Sequence, residues 1–202
     1  MNKPNKTDFA SLENFILDKL TKELPGHLYY HGVHHTLDVY NTVLILIEEE
    51  SINDYDALLL KTAALFHDSG YTDKVKEHEK ISCDIAKNTL PEYGYTHVDI
   101  DKICGMIMAT KIPQSPKTKL EEIICDADLD YMGRDDFEVF SENLYKELNH
   151  NKPFSHDQWL KLEIIFFEEH IYFNATTRKL RNEKKADNLK MLKRNLVNKL
   201  TI

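Results

Sequence analysis

The chain has 202 residues, 42% of them hydrophobic and 30% charged, with a formal net charge of -8. Such a length carries one sizeable core, no composition shift divides it, and the acidic balance argues against a general nucleic-acid binder. The longest aliphatic run, Val43 to Ile47, falls far short of the ~20 residues of a membrane helix, and Met1 to Phe15 holds no signal-peptide core, so a cytoplasmic protein without a membrane partner is expected.

Six prolines and six glycines fall in short interruptions. The segments between them repeat with helical rather than alternating period, which predicts an all-α bundle of about nine helices. Thr7 can cap a first helix whose stripe is Phe9, Leu12, Ile16 and Leu20, ended by Pro25-Gly26. A second helix should run from Val33 or His34 to about Glu50. A third starts at the Asn53-Asp54 cap, with Tyr55, Leu58, Leu59, Thr62, Ala63, Phe66 and His67 on one face and Gly70 as terminator. After a polar loop over 71–76, helical pattern returns from about Glu77 to Leu90 and stops at Pro91.

Thr96 and Asp99 open the next helix, which carries Ile100, Ile103, Cys104, Ile107 and Met108 to the loop between Pro113 and Pro116. Thr118 and Glu121 have capping-box spacing ahead of a helix that should reach Met132-Gly133. Asp135 to Asn149, Ser155 to Phe173 and Ala175 to about Lys199 supply the remainder, with Leu162, Ile165, Phe166 and Phe173 read as core. From Asn174 onward nine Lys and Arg face two Asp and Glu, so an acidic body ends in a basic helix. That helix either docks, solvated, on the acidic body or turns part of its face to an anionic substrate. Cys83, Cys104 and Cys125 lack any C-x-x-C spacing and read as reduced, buried thiols.

His67 and Asp68 stand side by side where an apolar helix should stop. An ionised carboxylate buried there without a partner is costly, whereas a divalent cation would turn both residues into a binding site. On the helix from Thr118, at about 100° per residue, Leu120, Ile123, Ile124, Ala127, Asp128 and Tyr131 share one face. Asp128 thus lies in the apolar stripe, while Asp126 and Asp130 fall on another face with Glu122 as solvated or supporting groups. His35 shares a face with Val39, Val43 and Leu46; His34 lies about 100° away, and His31 would join His35 only if the helix began that early. Inward His and Asp residues therefore recur on three helices.

The order of His35 in His-Thr-x-x-Val, then His67-Asp68, then Asp128 resembles the H…HD…D signature of the HD-domain superfamily of metal-dependent phosphohydrolases. Tyr30-His31, Phe66 to Tyr71, His78 to Ser82, Ala109 to Lys111 and Asp126 to Gly133 resemble its bacterial predicted-phosphohydrolase branch. The resemblance covers about Leu28 to Leu192 and implies a single HD-type domain over 1–202, with a basic C-terminal helix at 175–199. It implies His35, His67, Asp68 and Asp128 as ligands of one divalent ion, Mn2+, Fe2+, Mg2+, Ni2+ or Zn2+. The implied activity is hydrolysis of a phosphate ester or anhydride of a small phosphorylated metabolite, a nucleotide being expected, with no nucleic-acid duplex as partner and homo-oligomerisation left open.

Asp68, Glu79 and Lys111 are the implied catalytic residues: Glu79 as general acid or base or to orient water, Lys111 to neutralise phosphate unless it is a solvated surface lysine. His31 is implied as a hydrogen-bond donor near the ligands or substrate. Arg178 or Arg181, in the turn after His170, would clamp phosphate or belong to a plain basic face. Dinuclear relatives carry a further histidine near the position of Lys111, so lysine there favours one metal, with His78 and His97 leaving a second open. The rival readings are a metal- and nucleotide-binding regulatory module without turnover, and di-iron oxygen chemistry, which the shortage of histidines disfavours.

Overall fold

Residues 8–200 are described by the computed structural model, and among them there are nine α-helices, three 3-10 turns and no strand. The helices are α1 (Phe9–Glu23), α2 (Val33–Glu49), α3 (Asp54–Phe66), α4 (His78–Thr89), α5 (His97–Ala109), α6 (Lys119–Asp128), α7 (Phe137–Asn151), α8 (His156–Glu169) and α9 (Ala175–Leu200). Thr7 lies outside the described residues, and the Asp8 carboxylate accepts the Ser11 N–H that opens α1. Asn53, Thr96 and Ser155 cap α3, α5 and α8 through their side chains. Thr118 accepts from the Glu121 N–H, but the Glu121 carboxylate takes the Lys117 N–H, so the expected capping box is only half formed.

The apolar stripes bury into two clusters. Leu12 and Ile16 of α1, Val39 and Val43 of α2, Leu60 and Phe66 of α3, Ile103 and Ile107 of α5 and Ile123 of α6 form the larger one. Tyr30, Tyr131, Phe137, Leu160, Phe167 and Leu192 form the second, around α7, α8 and α9. Four expected core positions are exposed: Tyr55 at 46%, Met108 at 39%, Leu162 at 56% and Ile165 at 49%. Tyr55 instead donates its hydroxyl to Asp99 on α5, and the buried stripe of α8 is Leu160, Glu163, Ile164 and Phe167.

Two helices end earlier than their periodicity predicts, for different reasons. Helix α6 stops at Asp128 and passes into a 3-10 turn at Asp130–Gly133, against which α9 packs so closely that a Cβ on Gly133 would lie 2.5 Å from the Arg181 Cβ. Helix α8 stops at Glu169, not Phe173, because the Phe173 and Asn174 N–H groups donate instead to the Asp126 carboxylate at 2.7 and 2.8 Å. Helix α9 docks on the acidic body: Arg181 pairs with Asp130, Lys184 with Asp135 and Lys193 with Glu168. No described helix is long and apolar enough to cross a membrane.

Candidate metal centre

The end of α3 is shaped by α4. Phe66 is its last helical residue, His67 keeps helical dihedrals, and Asp68 turns away into the 3-10 turn Ser69–Thr72. Ser82 of α4 latches this bend, accepting from the Gly70 N–H at 2.8 Å and donating to the His67 carbonyl at 2.7 Å. Gly70 is required by close approach rather than as a helix terminator, since a Cβ there would sit 2.0 Å from the His78 carbonyl oxygen. The bend brings Asp68 Oδ2 to 3.3 Å from His67 Nε2, although ideal helical geometry would set the two side chains about 100° apart.

His35 reaches the same point from the first turn of α2, and Asp128 from the last residue of α6. His35 Nε2 lies 3.1 Å from Asp128 Oδ1, 3.4 Å from Asp68 Oδ2 and 3.4 Å from His67 Nε2. His67 Nε2 lies 3.6 Å from Asp128 Oδ1. Four donor atoms from α2, α3 and α6 thus face one another, and those of His35, His67 and Asp128 all fall within 4.8 Å.

The donors suit a divalent cation on two counts. Asp68 Oδ2 is buried and makes no well-formed hydrogen bond, with only the His67 and His35 Nε2 atoms beside it at 3.3 and 3.4 Å, a deficit that a bound cation removes. His67 Nδ1 donates to the Ala64 carbonyl at 2.8 Å, which leaves Nε2 with its lone pair towards the cluster. Two imidazoles with two carboxylates make a mixed nitrogen and oxygen set suited to Mn2+, Fe2+, Ni2+ or Zn2+.

Opposite charges within the cluster shift one another's ionisation. Burial opposes charge on His67, but Asp68 and Asp128 outweigh it and hold the imidazole well above its ordinary range. Burial likewise opposes ionisation of the carboxylates, yet His67 keeps Asp68 well below the usual range, and His35 and His67 draw Asp128 down to about 2. A cation would displace the proton that these shifts hold on His67.

The remaining expected residues divide. Glu79 is buried in the first turn of α4, 3.6 Å from His78 Nε2, and His78 Nε2 lies 3.3 Å from Asp68 Oδ1. His31 precedes α2 and is held by Glu147: the carboxylate pairs with His31 Nδ1 and accepts the Tyr30 and His31 N–H groups at 2.8 and 3.0 Å. Tyr71 contacts His31 Nε2 at 3.1 Å and stacks between His31 and His78. His97 is exposed at the start of α5.

Arg178, Arg181 and Lys111 are not brought to this site. Arg178 donates to the Tyr172 and Phe173 carbonyls, and Arg181 donates to Asp130 at 2.6 and 3.1 Å. Lys111 is exposed, and its neighbours Thr110 and Ile112 line the cleft instead. Asp126 and Asp130, expected as solvated or supporting groups, are buried at 0% and 2% exposure and serve the fold: one caps the turn into α9, the other neutralises Arg181.

A cleft of about 480 Å³ opens beside the donors. Asp68, Asp128, Glu79, His31, His78 and Tyr71 line its polar end, and Leu144, Leu148, Trp159, Leu162, Glu163 and Phe166 of α7 and α8 add an apolar and aromatic wall. Leu162 therefore faces this cleft and not the core, while Phe166 lines the cleft and also packs against the second cluster. Tyr71 closes the Phe66 to Tyr71 stretch of the resemblance without being singled out there, Glu147 has no motif in the chain, and Glu163 had one signal, as an acid inside an apolar helical stripe.

Comparison with known proteins bears on these features together. A search of curated proteins returned no match. A crystal structure of a predicted HD superfamily hydrolase from an uncultured Thermotogales bacterium matches with a TM-score of 0.61 at 17% identity, over 92% of this chain and 91% of that one, a likeness of fold. The family model for the HD domain matches residues 32–132, half of the chain and the span that contains all four clustered donors. The all-helical protein whose α2, α3 and α6 carry His35, His67-Asp68 and Asp128 to one point belongs to the HD domain family.

Proposed function

We propose that this protein is a metal-dependent phosphohydrolase that cleaves a phosphate ester or anhydride of a small metabolite. The observation that carries the reading is Asp68 Oδ2, without a well-formed hydrogen bond, among three further donor atoms at the polar end of a cleft. His35, His67, Asp68 and Asp128 would hold one divalent cation, which when bound supplies Lewis-acid activation of water and of a phosphoryl oxygen. His67 is fixed for this by its Nδ1 bond to Ala64, and Asp68 by the Ser82 latch on the bend. His78 sits beside Asp68 and Glu79 beside His78, and this pair would take a proton from a nucleophile or return one to a leaving group. His31, oriented by Glu147, presents Nε2 towards Tyr71 and the cleft, where it would orient substrate oxygens.

The test joins metal analysis to a phosphatase screen. Turnover of a generic phosphate ester with Mn2+ that disappears in Asp68→Ala supports the reading. A metal-loaded protein inert towards phosphate esters and nucleotides would assign the chain to a binding module instead, and a protein without metal affinity would remove both.

A further inference from the structure

The cleft changes character a short way from the metal donors. Its polar end is a chain of contacts: Glu147 holds His31, Tyr71 contacts His31 Nε2 at 3.1 Å and stacks on His78, and His78 Nε2 lies 3.3 Å from Asp68 Oδ1. The apolar wall begins on the residues next to these. Leu144 and Leu148 stand three residues before and one after Glu147 on α7, and Leu129 directly follows Asp128. On α8, Trp159, Leu162, Glu163 and Phe166 fall at i, i+3, i+4 and i+7, so a single helix face lines the cleft.

This wall gives a polar ligand few partners. Its one side-chain N–H, on Trp159, donates to Ser141 Oγ at 3.2 Å. Its one acid, Glu163, accepts from the Ser141 hydroxyl, and burial pushes its pKa up to about 7, so it carries only part of a charge at neutral pH. Among the described residues no Lys or Arg lines the cleft. Apolar side chains at its rim nonetheless stay open to solvent: Leu162 is 56% exposed, Ile112 53% and Leu148 44%. Exposed apolar surface gathered around one cavity marks a binding groove, whereas apolar residues scattered singly do not.

We infer that the cleft takes the phosphate monoester of an apolar alcohol, with the hydrocarbon body along Leu144, Leu148, Leu162 and Phe166 and the phosphate at the donor cluster. The inference rests on the phosphohydrolase reading for the phosphate end alone; the apolar end stands on the wall. It departs from the nucleotide that the family resemblance implies. Sugar hydroxyls or a second phosphate group would lose water against leucines that offer no partner, whereas each methylene of an apolar body gains by burial. Leu148 and Leu162 thereby determine specificity.

With Mn2+ present, kcat/KM should rise about threefold per added methylene from ethyl through butyl to hexyl phosphate, through KM, as burial of methylene groups predicts. Hexyl phosphate should also be a better substrate than a nucleoside 5'-monophosphate. Leu148→Ser/Leu162→Ser should lower the hexyl-to-ethyl ratio of kcat/KM at least roughly fivefold, and Leu148→Met/Leu162→Met, which keeps the apolar surface, should retain most of it. Both positions are exposed, and melting curves of the two variants identify any unfolding. Trp159 is the chain's single tryptophan, so its fluorescence reports the wall in the absence of phosphate. In the intact protein 1-hexanol should change that fluorescence saturably, with weaker affinity in the Ser variant, and ribose should not.

Equal kcat/KM along the alkyl series, an unchanged ratio in a folded Ser variant, or a preference for the nucleoside monophosphate would overturn the inference. So would a parental dimer, seen by light scattering, that the Ser variant dissociates while its hexyl-to-ethyl ratio holds, because the rim would then be a subunit interface. Hexanol binding through Leu148 and Leu162 in a protein inert towards every phosphate ester would sink the hydrolase reading and leave the apolar site. Turnover of ethyl phosphate with no gain in the longer esters would do the reverse.

Discussion

Gly70→Ala tests the mechanical basis of the candidate site. The added Cβ would lie 2.0 Å from the His78 carbonyl oxygen, 2.7 Å from its carbon and 2.9 Å from its Cα, all backbone atoms of the first turn of α4. No rotamer change relieves such an overlap. Ordinary contact requires α4 and the 3-10 turn to separate by more than an ångström, which pulls Ser82 from the His67 carbonyl and the Gly70 N–H. Overpacking of this kind costs about 1–3 kcal/mol or more, and for a chain of this size each kcal/mol lowers Tm by about 2–4 °C. Taking ~3 kcal/mol, thermal denaturation followed by circular dichroism should show a fall of about 6–12 °C. Because Asp68 and Glu79 lie on the two elements forced apart, Mn2+ affinity measured by titration should fall with it. A variant that melts within about 2 °C of the parent and binds Mn2+ equally well would refute the claim that the Gly70 contact sets the Asp68 bend.

Three further outcomes follow from single contacts. Asp68→Asn should abolish the metal-dependent rise in Tm; in the parent, an ion at ~100 times its Kd adds ~2.7 kcal/mol, and a chelator should remove that gain reversibly. Arg181→Ala leaves Asp130 buried with Arg134 at 3.5 Å as its remaining ion-pair partner, at a cost of about 3–5 kcal/mol that Arg181→Ala/Asp130→Ala should partly recover in chemical denaturation. If the single variant unfolds at the parental midpoint, the pair contributes nothing. Glu163 has its pKa raised to about 7 from 4.5, so between these values the folded state holds a proton that the unfolded state has released. Its contribution therefore declines as pH rises from 4.5 to about 7, by at most about 3 kcal/mol, and is constant above that. The stability difference between parent and Glu163→Gln should change across that window, and a pH-independent difference would show that Glu163 titrates normally.

Much of the architecture could be read from neighbouring residues. The stripes of α1, α2 and α5, the caps at Asn53, Thr96 and Ser155 and the breaks at Pro25, Pro91 and Pro113 are local features, and local features set helix position. The inward directions of His35 and His67 were legible for the same reason. Less legible were helix ends decided from afar: α6 and α8 keep their periodic pattern past Asp128 and Glu169, but tertiary hydrogen bonds and the docking of α9 stop them. The cleft was least legible. Its wall joins Leu144 and Leu148 of α7 to Trp159, Leu162, Glu163 and Phe166 of α8, and no spacing within either helix announces a shared cavity.

The three aspartates at the end of α6 and in the turn after it, Asp126, Asp128 and Asp130, separate the two sources of information. The sequence by itself placed Asp128 in the apolar stripe of its helix and set Asp126 and Asp130 on another face, because side-chain direction follows from 3.6 residues per turn. Which of them would be buried, paired or left for a ligand depended on groups far along the chain. The Phe173 and Asn174 N–H groups claim Asp126, and Arg181 claims Asp130, partners that only the packing of α8 and α9 brings near. Asp128 meets His35 and His67 instead. A helix in a bundle is buried on more than one face, so periodicity fixes direction while tertiary packing decides what each direction meets.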